Sequence, residues 1–121
     1  MPGFPARTAR ALDEAKYLKI RAGNEHRFIW VWVVVAGGRA FVRPWNDKPA
    51  GWYRAFVRLK RGWVVVHDRE LPVRGRVVRG ARLHDQVSDA YAAKYTTAAN
   101  QKYVKGFATA RRKAKTLELL P

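Results

Sequence analysis

Residues 41–54 read Phe41-Val42-Arg43-Pro44-Trp45-Asn46-Asp47-Lys48-Pro49-Ala50-Gly51-Trp52-Tyr53-Arg54, and they join an apolar strand to an amphipathic segment. The strand breaks at Pro44, and a helical period begins near Pro49, because proline fits the first turn of a helix. Asn46 or Asp47 can accept hydrogen bonds from the free amides of that turn. The stretch therefore predicts a strand, a capped turn and a helix in close succession.

The same junction is a candidate anion site. A helix start presents unpaired N–H groups and the positive end of the helix dipole, and Arg43 and Lys48 add full positive charges on either side. A phosphate group would fit such a place. The alternative, which the local residues favour, is an ordinary capped helix flanked by two solvated cations.

Composition indicates one folded domain that attracts anions. The chain has 121 residues, 48% of them hydrophobic, and 25 Lys and Arg against 9 Asp and Glu give a net charge of +16. This length supports a single core, so we assign one domain to residues 1–121. The charge predicts affinity for phosphates, nucleic acid or acidic small molecules.

Several classes of function are disfavoured. The absence of cysteine removes disulfides, thiolate catalysis and sulfur-rich zinc sites, and the three histidines lie in separate segments, so we predict no metal site. The longest apolar run, Phe28–Ala36, is too short to cross a bilayer as a helix, and the first ten residues contain no apolar signal-peptide core. We therefore expect a cytoplasmic protein with no membrane partner.

The hydrophobic periods predict strands and helices in a mixed order. Predicted strands are Tyr17–Arg21, His26–Val35, Arg39–Trp45, Trp63–Asp68, Leu71–Val78 and Thr116–Leu120, with turns at Ala22–Glu25, Gly37–Gly38 and Arg69–Glu70. Predicted helices are Pro5–Ala15, Pro49–Arg61, closed by Gly62, Ala81–Tyr95 and Gln101–Lys113. This pattern is typical of an α+β fold, either a small antiparallel barrel or an open sheet.

Two further surfaces are candidates for binding. One strand face carries Arg39, Phe41, Arg43 and Trp45, which suits a flat anionic ligand or, equally, a solvated face of stacked arginines. The predicted helix after Pro49 carries a stripe of Arg54, Arg58 and Arg61, which is either solvated or holds an acidic tail or a nucleic-acid backbone.

Four blocks of the sequence resemble an uncharacterised bacterial family, domain of unknown function 2255. They are Val42–Trp45, Ala50–Ala55, Asp89–Tyr95 and Thr116–Pro121, and the resemblance extends from about Leu12 onward. The family looks related to the FMN-binding split-barrel superfamily, which includes pyridoxamine-phosphate oxidases and deazaflavin-dependent nitroreductases. The resemblance implies a six-stranded antiparallel split β-barrel with an inserted helix and C-terminal helices. It also implies a homodimer with its cofactor at the subunit junction.

The resemblance also implies a site. In the deazaflavin-dependent relatives a Trp-Tyr pair opens the helix beside the cofactor phosphate, and the corresponding positions here are Arg43, Trp45, Asn46, Lys48, Trp52 and Tyr53. The implied cofactor is FMN or a deazaflavin of the F420 type. No catalytic residue is implied, because such a cofactor carries the reaction itself. Tyr53 is either a proton donor or, as we favour, a tyrosine at the edge of the core.

Three functions remain open from the sequence. The first is a flavin or deazaflavin oxidoreductase, or a carrier of such a cofactor, that uses a basic groove for the cofactor phosphate. The second is a nucleic-acid binder that uses its arginines on phosphates and its tryptophans on bases. The third is a cofactor-free dimeric barrel with a structural or regulatory role.

Overall fold

The protein is described by a computed structural model over residues 3–24 and 26–121. Met1, Pro2 and Glu25, the last residue of the first predicted turn, lie outside the described residues. The strands are β1 (Leu18–Ala22), β2 (Ile29–Val31), β3 (Val34–Ala36), β4 (Arg39–Val42), β5 (Arg61–Val66), β6 (Arg69–Val77) and β7 (Leu117–Leu120). The helices are α1 (Ala6–Glu14), α2 (Trp52–Leu59), α3 (Ala81–Lys94), α4 (Gln101–Phe107) and α5 (Ala110–Lys113), with one 3-10 turn at Ala98–Asn100.

The strands form a single antiparallel sheet that curls into a half-barrel. Their order is β2-β1-β5-β6-β7-β4-β3, so β2 and β3 occupy opposite edges although only Trp32 and Val33 separate them in the chain. Three residue steps reach at most about 11 Å, whereas the edges of a flat seven-stranded sheet lie about 29 Å apart. The sheet must therefore curl until its two edges come together at this corner.

The prediction of one continuous strand over His26–Val35, and hence of six strands in all, was wrong. The backbone N–H of Val33 donates to the hydroxyl of Tyr95 at 3.2 Å, and its carbonyl accepts from Nζ of Lys94 at 2.6 Å. The ring of Trp32 stacks on Tyr95, with centroids 3.8 Å apart. Side chains at the end of α3 thus replace a neighbouring strand as hydrogen-bond partners of Val33. Nothing in the sequence indicated this break, because the run is apolar on both faces.

Both faces of the curled sheet are covered, by different helices. The first core contains residues of α1, α2 and the inner strand positions, among them Leu12, Ile20, Phe56, Val64 and Leu119. The second core lies between β3, β4, α3 and α4, and its members include Val34, Phe41, Tyr91 and Phe107. The structure confirms the strand predicted at Tyr17–Arg21, which is β1 with alternating burial, the turn at Gly37–Gly38, and the helix predicted from Ala81, which is α3.

The predicted start of α2 was displaced. The helix begins at Trp52 with Gly51 as its N-cap, and no side chain caps it. The N–H of Gly51 donates to the carbonyl of Lys48 at 2.9 Å, so Pro49 lies in a turn before the helix. Asn46 and Asp47 therefore do not act as caps.

The predicted end of α2 was also wrong. The helix stops at Leu59 because Lys60 adopts a left-handed conformation, with φ at 64°. Gly62 instead lies inside β5, where a Cβ atom would collide with the carbonyl of Arg21. The close approach of the neighbouring strand, rather than helix termination, therefore explains a glycine at this position.

The C-terminal half differs from prediction in smaller ways. The turn between β5 and β6 falls at His67–Asp68, both with positive φ, which matches the twist of a tight hairpin. Pro72 is tolerated because β7 pairs with β6 only from Arg74 onward, so its missing N–H faces no strand. The helix predicted over Gln101–Lys113 is divided into α4 and α5.

No helix in the described residues is long and apolar enough to cross a bilayer.

Candidate functional site

A cavity of about 590 Å³ opens between the β2 edge, the segment after β4, the start of α2 and α4. Its lining contains seven aromatic rings, those of Tyr17, Trp30, Trp32, Trp45, Trp52, Tyr103 and Phe107. The remaining lining residues are Val31, Arg43, Asn46, Lys48, Gly51 and Asn100, so no carboxylate lines the cavity among the described residues. Both the volume and the apolar lining are typical of small-molecule sites.

Five of the six residues predicted for the site line this one cavity, namely Arg43, Trp45, Asn46, Lys48 and Trp52. Tyr53 does not. Neighbouring helix positions differ by about 100° in direction, so Tyr53 points into the first core, where 8% of its surface is exposed. Burial raises the pKa of its hydroxyl.

Arg43 is a buried cross-link rather than a solvated cation. Its side chain is 2% exposed, and Nε donates to the Thr116 hydroxyl at 2.8 Å. Nη1 donates to the Ser88 hydroxyl and the Phe107 carbonyl, and Nη2 donates to the His84 carbonyl, at 2.7–2.8 Å. These bonds tie β4 to α3, α4 and the start of β7, and they leave the guanidinium little capacity for a ligand. Burial lowers its pKa.

The predicted binding face of β4 is covered, so that interpretation was wrong. Phe41 is fully buried in the second core, and Arg43 lies beneath α3. Arg39 forms a two-pronged ion pair with Glu118, at 2.9 and 2.8 Å. Of this predicted face only Arg43, with its hydrogen bonds already satisfied, and Trp45 line the cavity, and Trp45 does so because the chain leaves the strand at Pro44.

The ring of Trp45 is held as one wall of the cavity. The guanidinium carbon of Arg112 lies 3.8 Å from its centroid, and Nε of Arg112 donates to its carbonyl at 3.0 Å. The rings of Tyr103 and Phe107 meet it edge-on, with centroids 5.0 and 5.3 Å away. Gly106 leaves room for the indole, since a Cβ atom there would overlap the ring.

The charge at the cavity is positive. The side chain of Lys48 forms no hydrogen bond or ion pair with any residue in the described ranges. Asp47 is engaged elsewhere: Arg54 donates to its carboxylate at 2.8 and 3.1 Å, Lys115 lies 3.1 Å away, and the hydrogen bonds from Arg54 hold its pKa at about 2. The uncapped start of α2 at Gly51 adds unpaired amides on the same side.

A family model for DUF2255, described as an uncharacterized protein conserved in bacteria, matches residues 9–119. The chain belongs to the DUF2255 family. A comparison with curated proteins finds no match. The matched region of this DUF2255 protein includes every residue that lines the aromatic cavity.

The sequence-based prediction missed more than half of the residues that line the cavity in this DUF2255 chain. Tyr17 and Trp30 form its rim, 48% and 63% exposed, and their rings meet edge-on at 6.3 Å. Nζ of Lys19 lies 5.0 Å from the centroid of Trp30. The available signal was the position of Tyr17 and Lys19 on the polar face of β1, next to a strand with two tryptophans. Tyr103 lies in the predicted helix Gln101–Lys113, and no signal in the sequence linked it to the site.

The arginine stripe predicted on α2 of the DUF2255 protein does not exist as a helix face. Arg54 pairs with Asp47, Arg58 also has an interaction partner, and Arg61 belongs to β5. The prediction was wrong because α2 ends at Leu59, so Arg61 lies in the following strand and not on the helix.

Proposed function

We propose that this DUF2255 protein binds a flat, anionic, ring-containing cofactor, FMN or a deazaflavin of the F420 type, in the aromatic cavity. The observation that carries the proposal is the combination of seven rings and an unpaired lysine in one lining, with no carboxylate among the described residues there. Aromatic walls stack on a planar ring system, and a lining without acids does not repel a phosphate.

The residues divide into two groups by the part of the ligand that they would hold. Trp45 offers a ring already fixed from behind by Arg112, so stacking on it costs little ordering. Lys48 and the free amides that follow Gly51 would bind the phosphate. The amides of Asn46 and Asn100 can pair with polar edges of the ring system.

A bound flavin or deazaflavin supplies hydride or electron transfer by its own chemistry. The chain's residues bind it, orient it and exclude water, so the protein acts as an oxidoreductase or as a carrier of the cofactor. The buried Tyr53 has no part in this scheme because it does not reach the cavity.

We also propose that the half-barrel is a split barrel and that the protein forms a homodimer. A seven-stranded antiparallel sheet whose edges nearly meet is compatible with a split barrel. The exposed rim of Tyr17 and Trp30 supports a homodimer in which a second copy covers the mouth of the cavity.

The test is a titration of the purified protein with FMN and, separately, with a deazaflavin. Binding should quench both cofactor and tryptophan fluorescence. K48Q and W45L should each weaken binding about tenfold, the scale of one lost charged hydrogen bond or stacking contact. K105Q removes the same charge at an exposed position of α4 and should leave cofactor binding unchanged. Unchanged fluorescence with both cofactors would reject the proposal.

A further inference from the structure

A second cluster of cations lies on the sheet, away from the aromatic cavity. Arg61 on β5 is paired directly opposite Arg74 on β6, and both side chains are exposed. Neither forms a hydrogen bond or ion pair with another residue in the ranges that the structure describes. Like charges directly opposite each other weaken a sheet, so folding gains nothing from this pair.

The two arginines border a cavity of about 620 Å³. Trp63, Pro72 and Leu59 supply its apolar lining, and no lining residue is shared with the aromatic cavity. The lining contains no Asp or Glu among the described residues. The place therefore combines two free guanidinium groups with an aromatic surface.

The backbone holds these side chains on one face. The carbonyl of Arg61 accepts from the N–H of Gly23 at 2.9 Å, and the carbonyl of Lys60 accepts from the N–H of Gly75 at 3.0 Å. Gly62 packs against the ring of Phe56 in the core. Because side chains alternate along a strand, Arg61 and Trp63 project from the opposite face.

Arg21 on the neighbouring strand does not line this cavity. Arg21 on β1 is in register with Trp63, and its Nε is buried with no acceptor. The nearest carboxylate to it, that of Glu70, lies 3.9 Å from Nη2, beyond hydrogen-bond distance. Its guanidinium carbon lies 4.5 Å from the ring centroid of Phe28, so Arg21 is engaged by Phe28 and Glu70 and the site depends on Arg61 and Arg74.

We propose that Arg61 and Arg74, beside Trp63, bind the phosphate of a nucleotide, either free or within a single nucleic-acid strand. A carboxylate has two oxygens and one charge, which a single guanidinium satisfies, whereas a phosphate has more oxygens and more charge to share between two. Trp63 offers a stacking surface for a base next to the phosphate. This site acts independently of the flavin proposal.

A second copy of the chain is a poorer occupant of this face. In a symmetric contact the pair Arg61 and Arg74 would meet itself, which brings four like charges together at a cost in free energy. Association of two copies through this face is therefore an outcome that would contradict the proposal.

The experiment compares R61Q/R74Q with R79Q/R82Q, which makes the same charge change at two exposed arginines elsewhere. Calorimetric titration uses three probes: inorganic phosphate, adenosine monophosphate and a ten-nucleotide oligothymidine. We expect R61Q/R74Q to lose at least about tenfold in affinity for each phosphate-bearing probe that binds. W63L should weaken the nucleotide and the oligonucleotide but not inorganic phosphate.

The probes also distinguish the two sources of the phosphate. Tight binding of the mononucleotide with no gain for the strand indicates a free nucleotide. Tighter binding of the oligonucleotide indicates single-stranded nucleic acid. In that case the slope of log affinity against log salt concentration should be smaller in magnitude by roughly 1.4 in R61Q/R74Q, because two phosphate contacts are lost. The melting temperature of R61Q/R74Q should equal or exceed that of the natural chain, since a like-charge pair is removed.

Two results would overturn the proposal. One is equal affinity of R61Q/R74Q and R79Q/R82Q for all three probes. The other is a shift in self-association of R61Q/R74Q by sedimentation, without phosphate binding by the natural chain. Flavin titration of the same variants should be unchanged, so failure here is separable from failure of the cofactor site.

Discussion

Arg112 packs over the ring of Trp45, with its guanidinium carbon 3.8 Å from the ring centroid, and its Nε donates to the carbonyl of Trp45 at 3.0 Å. One side chain thus fixes both the ring and the backbone of the cavity wall. Replacing it removes a cation–π contact and charged hydrogen bonds, and R112A should lower the free energy of unfolding by about 1–3 kcal/mol. Urea unfolding measures this, and cofactor affinity should fall with it.

The neighbouring Arg111 is the control for R112A. It belongs to the same short helix but is exposed, and its side chain forms no hydrogen bond, ion pair or ring contact with another described residue. R111A should leave stability and cofactor affinity within error. Equal effects of the two substitutions would show that net charge, not the contact with Trp45, is responsible.

Gly106 tests the same wall by volume. Alanine is favoured over glycine inside a helix by about 1 kcal/mol, but here the added methyl group would overlap the indole of Trp45. Overpacking costs about 1–3 kcal/mol, so we expect G106A to be net destabilising and to change the near-ultraviolet circular dichroism of the tryptophans. K105A, one residue earlier and exposed, should do neither. A stabilised G106A would mean that Trp45 moves freely.

The sequence predicted most of the helices, two of the strand hairpins and one wall of the candidate cavity, because each depends on local periods and turn residues. Trp45 to Trp52 could be placed in one site since they lie within a single strand-to-helix connection. In the same way, the alternation of apolar and polar residues indicated the strand β1, and Gly37–Gly38 indicated the hairpin that leads into β4. These features depend on residues close together in the chain.

The remaining features depend on distant residues. Burial of Arg43 is caused by acceptors on His84, Ser88 and Phe107, which no local pattern connects to it. The corner at Trp32–Val33 is made by Tyr95, far along the chain. Where tertiary partners replace backbone partners, periodicity gives no warning.

Glu118 should make stability depend on acid pH. It is 1% exposed and accepts from Arg39 at 2.9 and 2.8 Å and from Arg76 at 2.7 Å. Burial alone would raise the pKa of its carboxyl, but the hydrogen bonds from both arginines outweigh burial and lower it from the ordinary 4.5. Because the folded pKa is the lower one, the stabilisation is present above 4.5 and is lost as the pH falls through the folded value.

The corresponding variant is E118Q, which keeps the shape of the side chain and removes its charge. It should unfold about 1–3 kcal/mol more easily at neutral pH. That difference should shrink as the pH is lowered below 4.5, the ordinary value for this carboxyl. E14Q, at an exposed glutamate of α1, serves as the control. A difference between E118Q and the natural chain that stays constant down to acid pH would contradict the ion-pair explanation.

Lys94 should make stability depend on alkaline pH, with the opposite cause. Its Nζ donates to the carbonyls of Val33 and Leu12, at 2.6 and 3.1 Å, and so holds the corner where the sheet edges meet. Burial lowers its pKa to about 8, and attraction to Asp13 opposes this only in part. Between about 8 and 10.5 the unfolded chain keeps a proton that the folded chain has released. The free energy of unfolding therefore rises with pH across that window.

K94M removes the titrating amine while keeping the length of the side chain. It should be less stable at every pH, because the carbonyls of Val33 and Leu12 lose a donor. Subtracting its unfolding free energy from that of the natural chain should leave a difference that grows from pH 8 to pH 10.5. K105M, at an exposed lysine, corrects for the general effect of charge on stability. A flat difference would mean that Lys94 is already neutral below pH 8, or reaches water freely, and that the corner depends on Tyr95 alone.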